Sequence, residues 1–272
     1  MRVLYSLVFL VVGSIIFFTN ITFAPRINQP LLITVQMTII LVLLLAYVFF
    51  KKTKNEAFRD ITFSFLTASA ALTVLHFVPV ARLGFSINTP QGLAMTKLFE
   101  SLVIIGVILV MFKLAGYHFN TIYITKGKLL AGLIIGTAAF AGMIALGPPI
   151  PVEINIFDFY LKYLPWLLIF VFSNAATEEL LFRGIFLKKM KAVSGAASAI
   201  IVSSIVFALA HMQVTYQSPS EIIGFMSMVF ILALLWGFIT YRTGSLIASI
   251  FFHAGADMVI MISIYQGAGI II

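Results

Sequence analysis

The sequence predicts an all-α fold: a polytopic transmembrane helical bundle of about nine spans, closing with a four-helix core. Three observations predict it. The chain is 62% hydrophobic and only 10% charged, whereas a soluble domain has about 45–50% apolar and ~25% charged residues. Its mean hydropathy is +1.13. The apolar residues gather into runs near the ~20 residues that a spanning helix needs. The basic residues fall into short clusters after alternate runs, as topology determinants do.

In order, the runs cover about residues 3–23, 31–50, 61–81, 97–116, 128–147, 160–187, 196–212, 221–241 and 245–266. The first could serve as the apolar region of a signal peptide, but no small-residue cleavage site follows, so it is expected to stay as a span. Lys51, Lys52, Lys54 and Arg59 follow the second run, and Lys126 and Lys128 the fourth. Lys188, Lys189 and Lys191 follow the sixth, and Arg242 the eighth. The alternate loops hold Arg26, then Arg82, then Glu153 and Asp158, then the uncharged stretch from Gln213 to Ser220. This alternation places the protein in the cell membrane with a cytoplasmic N-terminus and an external C-terminus. Only the seventh run, at about 17 residues, is short for a span. Pro148, Pro149 and Pro151 cannot continue a helix, and they divide residues 1–150, with five spans, from residues 151–272, with four.

Composition also excludes. With no cysteine there is no disulfide, thiolate metal site or cysteine nucleophile. The net charge of +8 is not gathered into a stripe, so nucleic acid is not an expected partner, whereas membrane lipids are.

The second set of spans contains the residues that are costly in lipid. Glu178, Glu179 and Arg183 lie in one run, His211 in the next, and His253 and Asp257 in the last. Holding an ionised carboxylate at mid-bilayer costs at least ~2.5–3.5 kcal/mol, so two adjacent ones need a reason. At ~1.5 Å per helical residue, Glu178 lies about 15 Å and His211 about 22 Å from the polar turn Lys188–Gly195. From the same face, His253 lies at about 13 Å and Asp257 at about 20 Å. Three helices thus bring four ionisable groups to one slab of the membrane. Glu179 and Arg183, four residues apart, can pair along one helix face, while Glu178 is turned about 100° away. His253 and Asp257 share a face by the same spacing, and Phe207 supplies an apolar wall one turn before His211. His76 and Glu100, isolated in the first set, are expected to be interhelical hydrogen-bonding or interfacial residues.

A carboxylate and an imidazole around a water form a general-base arrangement for hydrolysis, and a second imidazole can steady a tetrahedral oxyanion. Glu178, His211, His253 and Asp257 are also nitrogen and oxygen donors that zinc accepts, so a metal site stays open at this point. So does a buried polar network that only holds helices together.

Three ordered motifs carry a family resemblance. They are Glu-Glu-x-x-x-Arg at 178–183, Phe-x-x-x-His at 207–211 and His-x-x-x-Asp at 253–257. With the flanking words Glu-Glu-Leu-Leu-Phe-Arg-Gly and Tyr241-Arg-Thr-Gly-Ser-Leu-Ile-Ala, the stretch from Phe157 to Ile264 resembles the type II CAAX prenyl endopeptidases. It equally resembles the related CPBP (CAAX protease and bacteriocin-processing) intramembrane proteases. The resemblance makes residues 151–272 the expected catalytic domain and leaves residues 1–150 without an assigned role. It implies an intramembrane endopeptidase acting on a membrane-associated protein or peptide. Glu178 and His211 would activate water, His253 and Asp257 would hold the oxyanion, and Glu179, Arg183 and Phe207 would support them. Many members have Asn where this chain has Asp257. Asn donates hydrogen bonds unconditionally, whereas Asp does so only when protonated. The competing readings are a catalytically silent scaffold or immunity protein of the same fold, and a proton-coupled transporter with midplane acids and histidines.

Overall fold

A computed structural model describes residues 2–22, 28–78, 83–146, 155–212 and 218–271. Among these residues all regular structure is helical. The helices are α1 (Arg2–Phe17), α2 (Gln29–Lys52), α3 (Glu56–Thr73), α4 (Pro90–Leu114) and α5 (Leu129–Leu146). Then follow α6 (Ile156–Ser194), α7 (Ala196–Ala210), α8 (Pro219–Thr243) and α9 (Ile247–Gly267). Eight are long and apolar enough to cross a membrane, and α7 is the shorter ninth. The protein is therefore an all-α polytopic bundle, and each apolar run of the sequence has its helix. The prolines at 148, 149 and 151, the charged residues Arg26, Arg82 and Glu153, and the stretch 213–217 lie outside the described residues.

Local chemistry sets several helix starts. The side chains of Asn55, Thr89 and Asn155 accept hydrogen bonds from the first turns of α3, α4 and α6, satisfying amides that have no partner within the helix. Pro30, Pro90 and Pro219 occupy first-turn positions, where their missing N–H costs nothing.

The distribution of polarity is the reverse of a soluble protein's. On α3, Thr62, Ser64, Thr67, Ser69 and Thr73 are buried. On α2 and α5, by contrast, Leu41, Val42, Leu45, Leu130 and Ile134 face outward. In lipid the apolar outer face costs nothing, while inside Ser64 donates to the Asp60 carbonyl and Thr73 to Asn20 Oδ1.

One boundary differs from the expectation. The sixth run was expected to stop near residue 187, with Lys188–Gly195 as a turn. Instead α6 continues to Ser194 through a π-helical stretch, Leu180–Leu187, and breaks at Gly195, whose φ is +90°. Lysines propagate helices well. The ammonium groups of Lys188, Lys189 and Lys191 lie over the rings of Tyr123, Tyr117 and Tyr241, so their polarity need not end the helix. The backbone of Gly195 does end it.

Two contacts position the later site. From the N-terminal set, α1 lies along α7, and Phe17 stacks on Phe182 of α6 with centroids 4.4 Å apart. Phe182 in turn meets Phe207 edge-on at 4.7 Å. On the opposite side α5 packs closely on α9. A Cβ added at Gly255 would lie 2.6 Å from the Phe140 Cα, and one at Gly136 would lie 2.8 Å from the Phe251 Cβ.

This close approach generates a prediction. Alanine ordinarily favours a helix over glycine by about 1 kcal/mol. Gly255→Ala is nonetheless expected to lower the thermal unfolding midpoint in detergent, since overpacking against backbone costs about 1–3 kcal/mol. Gly142→Ala, with open space around it, is expected to leave the midpoint unchanged or raise it.

Candidate active site

The site is built from α6 outward. Arg183 lies inside the π-helical stretch and is fully buried. An unpaired guanidinium could not remain there, and its partners come from three helices. Its Nη1 donates to Glu179 Oε1 at 2.9 Å, and its Nη2 donates to the Ala233 carbonyl of α8 at 2.9 Å. Its guanidinium carbon sits 4.8 Å from the ring centre of Phe207 on α7 and 5.3 Å from that of Trp236 on α8. Cation–π contacts of this kind are worth about 0.5–2 kcal/mol and add no polar atom to the interior.

Glu179, also fully buried, holds a second partner. The same Oε1 lies 2.9 Å from His253 Nδ1 on α9. The indole of Trp236 stacks on the His253 ring, with centroids 4.0 Å apart and planes 10° from parallel. Phe207 meets that ring edge-on at 5.7 Å. The imidazole is therefore fixed in both position and plane.

Glu178, one residue earlier, points elsewhere. Its Oε2 lies 3.5 Å from His253 Nε2 and 3.8 Å from His211 Nε2, and has no direct hydrogen-bond partner among the described residues. His211 caps the C-terminal end of α7; its Nδ1 lies 2.8 Å from the Phe207 carbonyl and its ring 4.4 Å from the Phe207 ring. Asp257 Oδ1 lies 3.5 Å from His253 Nε2, while its Oδ2 accepts from Asn174 Nδ2 at 2.9 Å. A small cavity beside these groups is lined by Phe207, His211, Phe225, Trp236, His253 and Asp257.

The partners define the proton positions. A carboxylate and a carbonyl can only accept, so Nδ1 carries a proton in both histidines. The Nε2 of neutral His211 then presents a lone pair toward Glu178. His253 presents an Nε2–H only as the imidazolium.

All seven residues singled out from the sequence meet here: Glu178, Glu179 and Arg183 from α6, Phe207 and His211 from α7, and His253 and Asp257 from α9. The metal alternative fares differently. Among the described residues no group of three or more His, Asp and Glu side chains is arranged to hold a metal ion. Three participants escaped the sequence reading. Asn174 stands one helical turn before Glu178, and that spacing could have revealed it. Trp236 sits in an otherwise apolar run and Ala233 contributes a backbone oxygen, so neither carried a signal.

Truncating one member of a buried ion pair costs about 3–5 kcal/mol, because the partner is left charged in the interior. Arg183→Met is therefore expected to lose stability of that order in denaturant unfolding in micelles. Adding Glu179→Gln to it is expected to recover part of the loss.

The geometry meets an independent comparison. Residues 160–259 match the family model described as type II CAAX prenyl endopeptidase, Rce1-like. No curated protein and no solved structure matches the chain. The matched stretch runs from α6 to α9 and contains all seven residues of the cluster. Over residues 160–259, this multi-pass membrane protein is thus similar to the Rce1-like type II CAAX prenyl endopeptidases.

Proposed function

We propose that the chain hydrolyses peptide bonds of a membrane-associated protein or peptide inside the membrane, and that residues 151–272 carry the chemistry. The observation that carries this reading is the position of Glu178: a carboxylate oxygen facing two imidazole Nε2 atoms at 3.5 and 3.8 Å. These separations exceed a direct hydrogen bond and suit a bridging water. Such a water donates one proton to Glu178 Oε2 and the other to the lone pair of His211 Nε2.

The reaction follows from those acceptors. Glu178 takes a proton as the water oxygen attacks the carbonyl carbon, and the carbonyl π pair moves to oxygen. The His253 imidazolium, held between Glu179 and Trp236, donates its Nε2–H to that oxyanion. Collapse of the tetrahedral species breaks the C–N bond, and the proton held by Glu178 passes to the departing amine. Asp257 stands beside His253 Nε2 and, fixed by Asn174, orients it. The alternating basic residues support a cell-membrane location with the N-terminus cytoplasmic and the C-terminus external.

Proteolysis of a membrane-peptide library by purified protein in liposomes tests the assignment. Glu178→Gln and His211→Ala are each expected to lower the cleavage rate by about 10²–10⁴-fold, the scale of a lost general base, without lowering the unfolding midpoint. Cleavage is expected to survive a chelator. Chelator-sensitive cleavage restored by zinc would overturn the metal-free assignment. Proton flux that depends on Glu178 without cleavage would overturn the protease assignment in favour of transport.

The departure at Asp257 gives a second test. Asparagine fills the same volume, can still accept from Asn174, and can donate to the oxyanion directly. Asp257→Asn is expected to stay within about tenfold of wild-type kcat/KM, whereas Asp257→Leu, which removes every polar contact, is expected to lose about 10²-fold or more.

A further inference from the structure

The lysine-rich end of the bundle contains a second site. There the Lys128 amide donates to the Thr243 carbonyl at 2.8 Å, joining the loop after α4 to the turn before α9. Lys189 Nζ lies 3.0 Å from Asp60 Oδ2, joining the end of α6 to the start of α3. Between these ties opens a cavity of about 450 Å³ lined by Asp60, Asn120, Thr121, Thr125, Lys188 and Lys189. Next to it, sharing Thr125, runs a second cavity of about 450 Å³ walled by Tyr123, Ile124, Leu129, Leu246, Ile247 and Ile250. The first is polar; the second is mainly apolar, with Lys126 and Ser245 at its edge.

Charge within the polar cavity is uneven. Asp60 accepts from Tyr117 Oη at 2.5 Å, from Arg59 at 2.8 Å and from Lys189 at 3.0 Å, so its carboxylate is fully used. Burial, together with that hydrogen bond to Asp60, pushes the Tyr117 hydroxyl above its ordinary value, so it remains a donor at neutral pH. Lys189 is neutralised by the same acid. Lys188 has no acidic partner among the described residues; its Nζ sits 4.0 Å from the ring centre of Tyr123. Tyr123 adopts φ +59°, a left-handed conformation that bulky residues rarely take. It stands at the junction, under Lys188 on one side and walling the apolar cavity on the other.

Two cations without an acidic partner among the described residues, Lys188 and Lys126, with the Asn120 amide and the Thr125 hydroxyl, thus border an apolar furrow. The chemical complement is an amphiphile with a phosphate head and a hydrocarbon tail. We propose that this is a binding site for an anionic phospholipid. The phosphate rests on Lys188, Asn120 and Thr125, and one acyl chain lies along Ile124, Leu129, Leu246 and Ile250. Basic pockets between helices at a membrane face take anionic headgroups, and each lysine near the surface adds about 1 kcal/mol of attraction. A bound lipid would hold the 115–128 loop against α6. A Cβ at Gly184 would lie 3.0 Å from the Ile122 carbonyl there, so loop and helix already touch.

Thermal unfolding of the purified full chain in detergent, paired with native mass spectrometry, tests this independently of proteolysis. Phosphatidylglycerol is expected to raise the midpoint by about 5 °C near saturation, through preferential binding to the folded state. Phosphatidylcholine with the same chains, and inorganic phosphate, are expected to give no comparable shift. Lys188→Gln and, as a second variant on the exposed rim, Asn120→Leu are expected to lose most of the phosphatidylglycerol shift while keeping the lipid-free midpoint. Lys51→Gln, on α2, is expected to keep the shift. Equal shifts with both lipids, a full shift with inorganic phosphate alone, retention of the shift in both Lys188→Gln and Asn120→Leu, or its loss in Lys51→Gln would each overturn the proposal.

Discussion

A single oxygen atom organises the protein's interior. Glu179 Oε1 accepts from both Arg183 Nη1 and His253 Nδ1, each at 2.9 Å. Through Arg183 it is linked to the Ala233 carbonyl on α8 and to the ring of Phe207 on α7. One carboxylate therefore ties together α6, α7, α8 and α9, the four helices of the polar cluster. Removing two charges from water is expensive, and their close apposition must offset it, since Glu179 Oε2 and Arg183 Nε are buried without a hydrogen-bond partner among the described residues. The rest of the core packs around that requirement: Trp236 covers His253, and Phe182 and Phe17 close in behind Phe207.

The involvement of Phe17 bears on the N-terminal helices. The family match begins at residue 160, yet α1 packs along α7 and supplies an aromatic wall two rings away from the guanidinium. In a lipid solvent this support comes from shape and dispersion, since apolar burial brings no hydrophobic gain between helices. The glycines at the α5–α9 contact do the same on the other side, letting backbones approach where side chains would hold them apart.

How much of this was legible in the sequence follows from the same physics. Charged residues in apolar runs are costly, so Glu178, Glu179, Arg183, His211, His253 and Asp257 identified themselves, and the 3.6-residue period gave the Glu179–Arg183 pairing. The span count was legible because lipid sets a narrow range of helix lengths. The end of α6 was not. Lysines ordinarily mark a membrane boundary, but here their aromatic partners are Tyr117, Tyr123 and Tyr241, distant in sequence. Trp236 was illegible for a related reason: an aromatic residue in an apolar run looks like packing until the ring beside it proves to be an imidazole. The π-helical stretch after Glu179 left no mark, since its residues are ordinary helix formers.

The two adjacent glutamates take different surroundings. Neighbours on a helix point about 100° apart, so one carboxylate cannot both lock the framework and face the cavity. Glu179 is fully buried and bonded to Arg183 and His253; Glu178, with 20% of its side chain accessible, keeps an oxygen uncommitted. The π-helical turn begins at Leu180, directly after the pair, and widened turns of this kind recur at functional sites. Arg183, within it, donates back to Glu179 and across to Ala233, while the regular helix before it keeps Glu178 and Asn174 on adjoining turns. Exchanging the two positions would put the paired carboxylate at the cavity and the uncommitted one against Arg183.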